Sequence, residues 1–252
     1  MSKTEFQADH YDHLYPVGIE FQYWQIARNK TLLKLVRKYC NSNDRILEVG
    51  CGRGDVLTYF RKHGLDCWGV ELADEVPVLE AVKDYIQIGV DANTLPEEFR
   101  HSVKIITLFD VIEHLPDPTV FLNELKQNFP NLTHFIITVP ACQEIWSNYD
   151  EFNGHYRRYD LKMMREQGKA INAEVLNNRF FFKMLYLPAR ILLSIKKQRN
   201  TVLKGPKPGF AQLVHRFIAN VSVLIDSILP AAFKGSSVLA VMKVSKGSTG
   251  RL

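Results

Sequence analysis

The sequence predicts an α/β fold with a mostly parallel sheet covered by helices on both faces. Three observations predict it. Short apolar runs alternate with stretches of helical periodicity from Arg45 to Val139, and alternate glycines follow the first of those runs. No internal repeat of about 20–50 residues marks a solenoid or propeller. With 252 residues, 46% hydrophobic and 23% charged, the chain can bury one sizeable core, and we read it as a single domain. Gly 14 and Pro 11 make about a tenth of it, far below low-complexity levels.

Residues 20–40 set Phe21, Trp24, Ile26, Leu32, Leu33, Leu35 and Val36 at near-helical spacing, and Asn41-Ser42-Asn43-Asp44 breaks the pattern. Arg45-Ile46-Leu47-Glu48-Val49 reads as a strand, Gly50-Cys51-Gly52-Arg53-Gly54 as a loop, and Val56, Leu57 and Phe60 as a helix that Gly64 stops. The alternation continues with a strand at 67–70, a helix at 76–83 and a short strand at 85–90. A third cycle has a buried run at 103–109, a helix opened by Asp117-Pro118-Thr119, and a β-branched and aromatic run at 134–139. Between 141 and 208 the beat is lost, although 161–169 and 184–195 look helical. Residues 213–229 carry a wide apolar helical face, and 237–244 read as a last strand.

Four cysteines at positions 40, 51, 67 and 142 form no CxxC pair and have no histidine at metal spacing, so no disulfide framework or zinc site is expected. His10 and His13 share a helical face without a third ligand, and we expect no metal. The first residues carry no secretion signal, and the apolar stretches at 184–195 and 217–233 are too short or too interrupted to span a bilayer. A cytoplasmic protein in a reducing compartment is the expectation. The net charge of +5 is too mild to imply nucleic acid, but from Val175 to Ile225 there are nine bases and no acid.

Three alternate glycines after a strand let a backbone approach a ligand and aim the next helix's free N–H groups at it. A dinucleotide fingerprint needs G-x-G-x-x-G, whereas Asp55 stands where its third glycine belongs. Glu48 before the loop and Glu71 after the second strand place two carboxylates nearby. One suits a ribose diol and the other a cationic ligand, which a partly desolvated cleft favours. S-adenosylmethionine, carrying an ammonium and a sulfonium, meets both demands.

At these residues the sequence resembles the class I S-adenosylmethionine-dependent methyltransferases. The resemblance runs from about Arg45 to Val139 through Ile46-Leu47-Glu48-Val49-Gly50-Cys51-Gly52-Arg53-Gly54, Trp68-Gly69-Val70-Glu71, Val90-Asp91-Ala92 and Asp110-Val111-Ile112-Glu113-His114-Leu115-Pro116-Asp117-Pro118. It implies a Rossmann-like, seven-stranded sheet and S-adenosyl-L-methionine as cofactor. It also implies that Glu48, Gly50, Gly52 and Asp110 lie at the methionine end, that Glu71 takes the ribose hydroxyls, and that Asp91 and Ala92 meet the adenine. Tyr11 and Arg28 match a lid that covers the cofactor in such enzymes, though their spacing equally fits a helix packed on the sheet.

Methyl transfer from a sulfonium is an in-line displacement, so the protein chiefly aligns the nucleophile and excludes water. A hydroxyl acceptor also needs a base. His114, just past the fourth strand, and His155, in Gly154-His155-Tyr156-Arg157-Arg158-Tyr159, are the candidate catalytic residues. Tyr156, Arg157 and Arg158 are candidate acceptor contacts. The arginines either clamp a phosphate or carboxylate or form salt bridges with Asp150, Glu151 or Asp160. The Asn-Pro-Pro-Tyr signature of base-methylating relatives is missing, which disfavours nucleic acid.

The basic stretch is expected to hold a helical insertion before the last strand, either a wet helical cap or a surface for anionic membranes and lipid-linked or phosphorylated acceptors. The expected organisation is an N-terminal helical lid over 1–44, a cofactor core over 45–140, an acceptor-side region with the insertion over 141–236, and the last strand and tail over 237–252. The functional expectation is methylation, at oxygen, of a small-molecule or lipid-linked acceptor, as in surface-glycan or related metabolite synthesis. The rivals are an NAD(P)-dependent oxidoreductase and a non-catalytic, membrane-associated binding protein.

Overall fold

The structure, a computed structural model, describes residues 16–196, 198–199 and 204–245. Helix α1 (Tyr23–Tyr39) precedes strand β1 (Arg45–Val49), helix α2 (Asp55–Lys62), strands β2 (Cys67–Glu71) and β3 (Ile86–Ile88), and helix α3 (Glu97–Ser102). Strand β4 (Val103–Phe109), helix α4 (Pro118–Asn128), strand β5 (His134–Pro140), and helices α5 (Asn148–Phe152) and α6 (Leu161–Ala170) follow. Strand β6 (Ala173–Phe181), helices α7 (Lys183–Lys196) and α8 (Phe210–Ile228), and strand β7 (Ser237–Val244) complete the order.

The strands form one seven-stranded sheet in the order β3-β2-β1-β4-β5-β7-β6. Its first five are parallel, and β7 runs antiparallel to both β5 and β6. Alternation along β4 divides the core. Ile106 and Leu108 face Leu122, Leu125 and Met164 on one side, whereas Ile105 and Phe109 face Leu32, Val36, Leu57 and Phe60 on the other. Helices therefore cover both faces. Local chemistry sets their ends: Asp117 accepts from the Thr119 and Val120 amides, and Pro118 occupies the first turn of α4.

Two segments differ from expectation. No α-helix forms over 76–83, where a short 3-10 turn at Glu80–Tyr85 follows irregular chain. Pro77 removes a helical donor, and the Leu79 amide instead donates to the Arg53 carbonyl at 3.0 Å. The segment over 173–181, left without a regular element by the sequence, is β6, whose register shifts between Val175 and Asn177. The basic stretch thus begins within a strand, and α7 and α8 supply the helical insertion before β7. Helix α1 packs on the sheet and against that insertion: Lys30 Nζ donates to Asn220 Oδ1 at 2.6 Å, and the Tyr23 amide donates to His215 Nδ1 at 3.2 Å.

Candidate active site

The carboxyl ends of parallel strands leave a crevice where α/β sheets bind ligands. Here it is edged by the β1–α2 loop, whose Gly50, Gly52 and Gly54 have φ of 72°, 53° and 91°. Only glycine adopts such angles freely. A Cβ on Gly50 would also lie 2.8 Å from Val111 Cγ2, so loop and β4 end meet without room for a side chain.

Glu71, at the end of β2, is buried, and its carboxylate is fixed from two sides. Oε2 accepts from the Gly52 amide at 2.9 Å, and Oε1 accepts from the Ala73 amide at 3.1 Å. Glu48, on β1, is buried with Oε2 lacking any hydrogen-bond partner among the described residues. Its pKa is raised to about 8, chiefly by burial and also by Asp55 and Glu71, against the Arg28 charge and the Leu57 backbone. Asp91 caps a 3-10 turn at Ala92–Thr94, its Oδ1 accepting from the Asn93 amide at 2.9 Å, beside buried Ala92. Asp110 follows β4 with φ 60° and pairs through Oδ2 with Arg28 Nη2 at 2.6 Å. The Arg28 guanidinium also lies 5.8 Å over the Phe109 ring. Tyr11, like His10 and His13, lies outside the described residues.

A second cluster borders Asp110. Glu113 and His114 sit in a 3-10 turn at Ile112–His114, and the His114 ring meets the His155 ring edge-on at 4.8 Å between centroids. The His114 pKa is lowered to about 4, by burial first and the His155 charge second, against Asp110 and the Asn153 backbone. His155 Nδ1 lies 2.9 Å from Asp150 Oδ1. The same oxygen accepts from Arg158 Nε at 2.8 Å, and burial of Asp150 is outweighed by these two partners, so its carboxyl stays below the usual range.

Arg158 is buried and completes its bonding at the Ala141 carbonyl, 2.9 Å away. Of the readings open for the arginine pair, the geometry gives Arg158 the salt bridge with Asp150. Arg157 donates to the Pro116 and Leu115 carbonyls at 2.6 and 3.3 Å. Tyr156 is exposed, while its amide donates to the Glu113 carbonyl at 2.8 Å and ties the two segments together.

Sequence reasoning left Glu113 without a role and gave Asp150 only that of a possible salt-bridge partner for the arginines. Glu113 is fully buried, and burial with the Asp110 charge pushes its carboxyl well above the usual range, more than its own amide, Arg28 and Arg158 offset. Asp150 is the hub of the His155–Arg158 network. Its spacing, five residues before His155 and eight before Arg158, was the available signal. Nearby, a cavity of about 390 Å³ is lined by Glu144, Trp146, Arg190, Leu193 and Ser194, between the segment after β5 and α7. Polar tips converge at its edge, with Tyr186 Oη donating to Glu144 Oε1 at 2.8 Å and Lys234 pairing with the same carboxylate.

A family model described as a methyltransferase domain matches residues 21–178. The chain is similar to ubiquinone biosynthesis O-methyltransferases. That of Hydrogenovibrio crunogenus is 26% identical over 167 residues, covering 56% of this chain and 60% of the relative. That of Histophilus somni is 27% identical over 132 residues, covering 47% and 56%. That of Pseudomonas entomophila is 29% identical over 82 residues, covering 30% and 35%. The chain thus spans only part of the length of these curated relatives. Among solved structures, phosphoethanolamine N-methyltransferase 2 of Haemonchus contortus has a TM-score of 0.53 at 16% identity, over 94% of this chain and 59% of that one. Magnesium protoporphyrin IX methyltransferase of Synechocystis PCC 6803 has a TM-score of 0.52 at 11% identity, over 94% and 93%. At these identities the likeness is one of fold.

Proposed function

This chain belongs to the methyltransferase-domain family, and from that premise we propose that it methylates a hydroxyl oxygen on a small or lipid-linked acceptor. It is an S-adenosylmethionine-dependent methyltransferase. The nicotinamide and non-catalytic alternatives give way to that membership.

The crevice fits the cofactor. Its glycine loop has no space for side chains at Gly50, the Glu71 carboxylate is held in place by two amides, and Glu48 keeps a buried oxygen without a partner. In our reading Glu71 takes the ribose hydroxyls, Asp91 and Ala92 border the adenine, and Glu48, Gly50, Gly52, Asp110 and Arg28 surround the methionine end. The bound cofactor supplies an activated methyl group on a sulfonium. The chain's own residues then align the acceptor, exclude water and manage the acceptor's proton.

The observation that carries the oxygen reading is the His114–His155 pair beside the end of β4, with His155 oriented by Asp150. Such a pair serves a nucleophile that must lose a proton, and the O-methyltransferase names of the curated relatives agree with it. Tyr156 and Arg157 border the same rim and are proposed acceptor contacts. The sequence-based clamp at Arg158 gives way to a supporting role through Asp150.

The lipid-linked class, as in surface-glycan or related metabolite synthesis, is supported by the insertion. On α7 and α8, Leu187, Ile191, Ile195, Phe210, Leu213, Phe217 and Leu224 are each half or more exposed within the acid-free basic stretch, and Ile228 is so just beyond it. Among the described residues no helix is long and apolar enough to cross a membrane. We therefore assign these helices to peripheral contact with an anionic membrane face.

The test supplies labelled S-adenosylmethionine to the protein with soluble and lipid extracts and identifies the product by mass spectrometry. An O-methylated product is expected, with His114→Ala and His155→Ala each lowering kcat by about 10²–10⁴-fold. An N-methylated or C-methylated product would overturn the oxygen reading.

A further inference from the structure

We propose that Glu113, His114 and His155 form a divalent-cation site on the acceptor side of the crevice. Its catalytic consequence rests on the transfer reading, but binding of the ion does not. Glu113 and His114 come from the turn after β4, and His155 follows α5, so only the fold brings them together. Each offers one ligand atom, and the three atoms lie within 4.8 Å of one another. The sequence-based expectation of no metal did not weigh this set.

Observations beyond proximity point to an ion. Glu113 is fully buried, and neither of its carboxylate oxygens makes a hydrogen bond to another described residue. A buried carboxylate left so is costly unless something coordinates it. The two guanidiniums whose charge reaches Glu113 are already engaged, Arg28 with Asp110 and Arg158 with Asp150.

His155 is prepared in the manner of a metal ligand. Asp150 holds its Nδ1 at 2.9 Å, which leaves Nε2 as the donor and fixes the ring. Asp150 is itself fixed by the Ser147 amide at 2.9 Å and by Arg158. The Tyr156 amide, bonded to the Glu113 carbonyl, ties the loop carrying His155 to the turn carrying the other two ligands.

Two imidazoles and one carboxylate suit Zn²⁺, Mn²⁺, Fe²⁺ or Co²⁺ rather than Ca²⁺. Metal–ligand bonds of about 2.0–2.2 Å put donors about 3.4 Å apart in a tetrahedral set, so the side chains draw together by about 1 Å on binding. Three protein ligands leave a position open. An acceptor hydroxyl bound there loses its proton to water more readily. Its oxygen then forms the C–O bond as the S–CH₃ bond breaks, and sulfur keeps the electron pair as S-adenosylhomocysteine. The histidine pair thus acts on the acceptor's proton through the ion.

The test titrates metal-free protein with Co²⁺, without donor or acceptor, reading heat and visible absorption. One ion per chain is expected, with affinity lowered about tenfold or more in His114→Ala, His155→Ala and Glu113→Gln and unchanged in His101→Ala on exposed α3. Absence of stoichiometric Co²⁺ binding by the unaltered protein, or equal affinity in the three ligand variants, overturns the site. S-adenosylhomocysteine calorimetry on each variant reports the fold. Where an alanine variant loses that binding, Glu113→Gln decides: unchanged Co²⁺ affinity there overturns the site. Intact Co²⁺ binding in unaltered protein that ignores S-adenosylhomocysteine supports the ion site and overturns the transfer reading alone.

Discussion

The Gly52 amide donates to the Glu71 carboxylate at 2.9 Å, joining the β1–α2 loop to the end of β2 across the crevice. One bond therefore holds both the loop's shape and the direction of the acid proposed to meet the ribose. Hydrogen bonds to charged groups contribute about 1.5–3 kcal/mol. Glu71→Ala should weaken S-adenosylhomocysteine binding by about 10–100-fold in calorimetry. Gly52→Val should abolish measurable binding, because φ of 53° is poorly accessible to a branched residue. Unchanged affinity in both variants would refute the assigned pocket.

Glu48 links pH to stability and to ligand charge. Its pKa rises from 4.5 to about 8 in the folded protein, so the folded state holds that proton more tightly. Its contribution to stability should therefore be complete below about pH 4.5 and be lost as pH climbs to about 8, and Glu48→Gln should remove that part of the slope. A cationic ligand favours the ionised carboxylate. Affinity for S-adenosylmethionine relative to S-adenosylhomocysteine should rise between about pH 6.5 and about pH 9. A constant ratio over that range would separate Glu48 from the sulfonium.

The peripheral contact proposed for α7 and α8 is electrostatic in part and should be salt-sensitive. The protein should sediment with phosphatidylglycerol vesicles but not with phosphatidylcholine vesicles, and raising salt from about 0.05 M to about 0.5 M should release most of it. Phe217→Glu, on the exposed face of α8, should lower the bound fraction several-fold without altering S-adenosylhomocysteine binding. Binding indifferent to salt would speak against the electrostatic part of this surface.

Asp226 fastens α8 to the corner between β6 and α7. Its oxygens accept from the Phe182 and Lys183 amides at 2.8 and 3.0 Å, and Lys183 Nζ returns to the Asp226 and Leu229 carbonyls. Phe182 holds φ of 56° there. Removing the carboxylate leaves the two buried amides without an acceptor, at about 1–3 kcal/mol each. Asp226→Ala should lower Tm by about 4–24 °C for a domain of this size. A shift of less than about 2 °C would show that the corner is held by other contacts.

The first three strands, the glycine loop and the α4 cap were legible because each announces itself within a few residues. An apolar run closed by glycines, or Asp before Pro, has few other solutions. Strand β6 was hidden by Asn177, Asn178 and Arg179, and by the register shift at Val175/Asn177 that breaks the period of two. The segment over 76–83 misled because Val76, Val78 and Leu79 suggest a helical face that Pro77 forbids.

At the site, the crevice acids could be placed by order along the chain, since each lies at or just past the carboxyl end of its own strand. The histidine cluster could not. Its character comes from burial of Glu113 and from Asp150 being shared by His155 and Arg158, both set by a turn between α5 and the isolated bridge joining Ala141 to Tyr159. Local periodicity carries no signal for such a turn.

Strand β7 lies between β5 and β6, which touch no other strand in common. During synthesis, both must wait beside an open slot until residues 237–244 leave the ribosome, with α7 and α8 already made. The nascent chain thus presents its greasiest helices before its sheet can close. Such late, long-distance pairing slows folding and makes this stage the one at which a chaperone, or a bilayer, first competes for the chain.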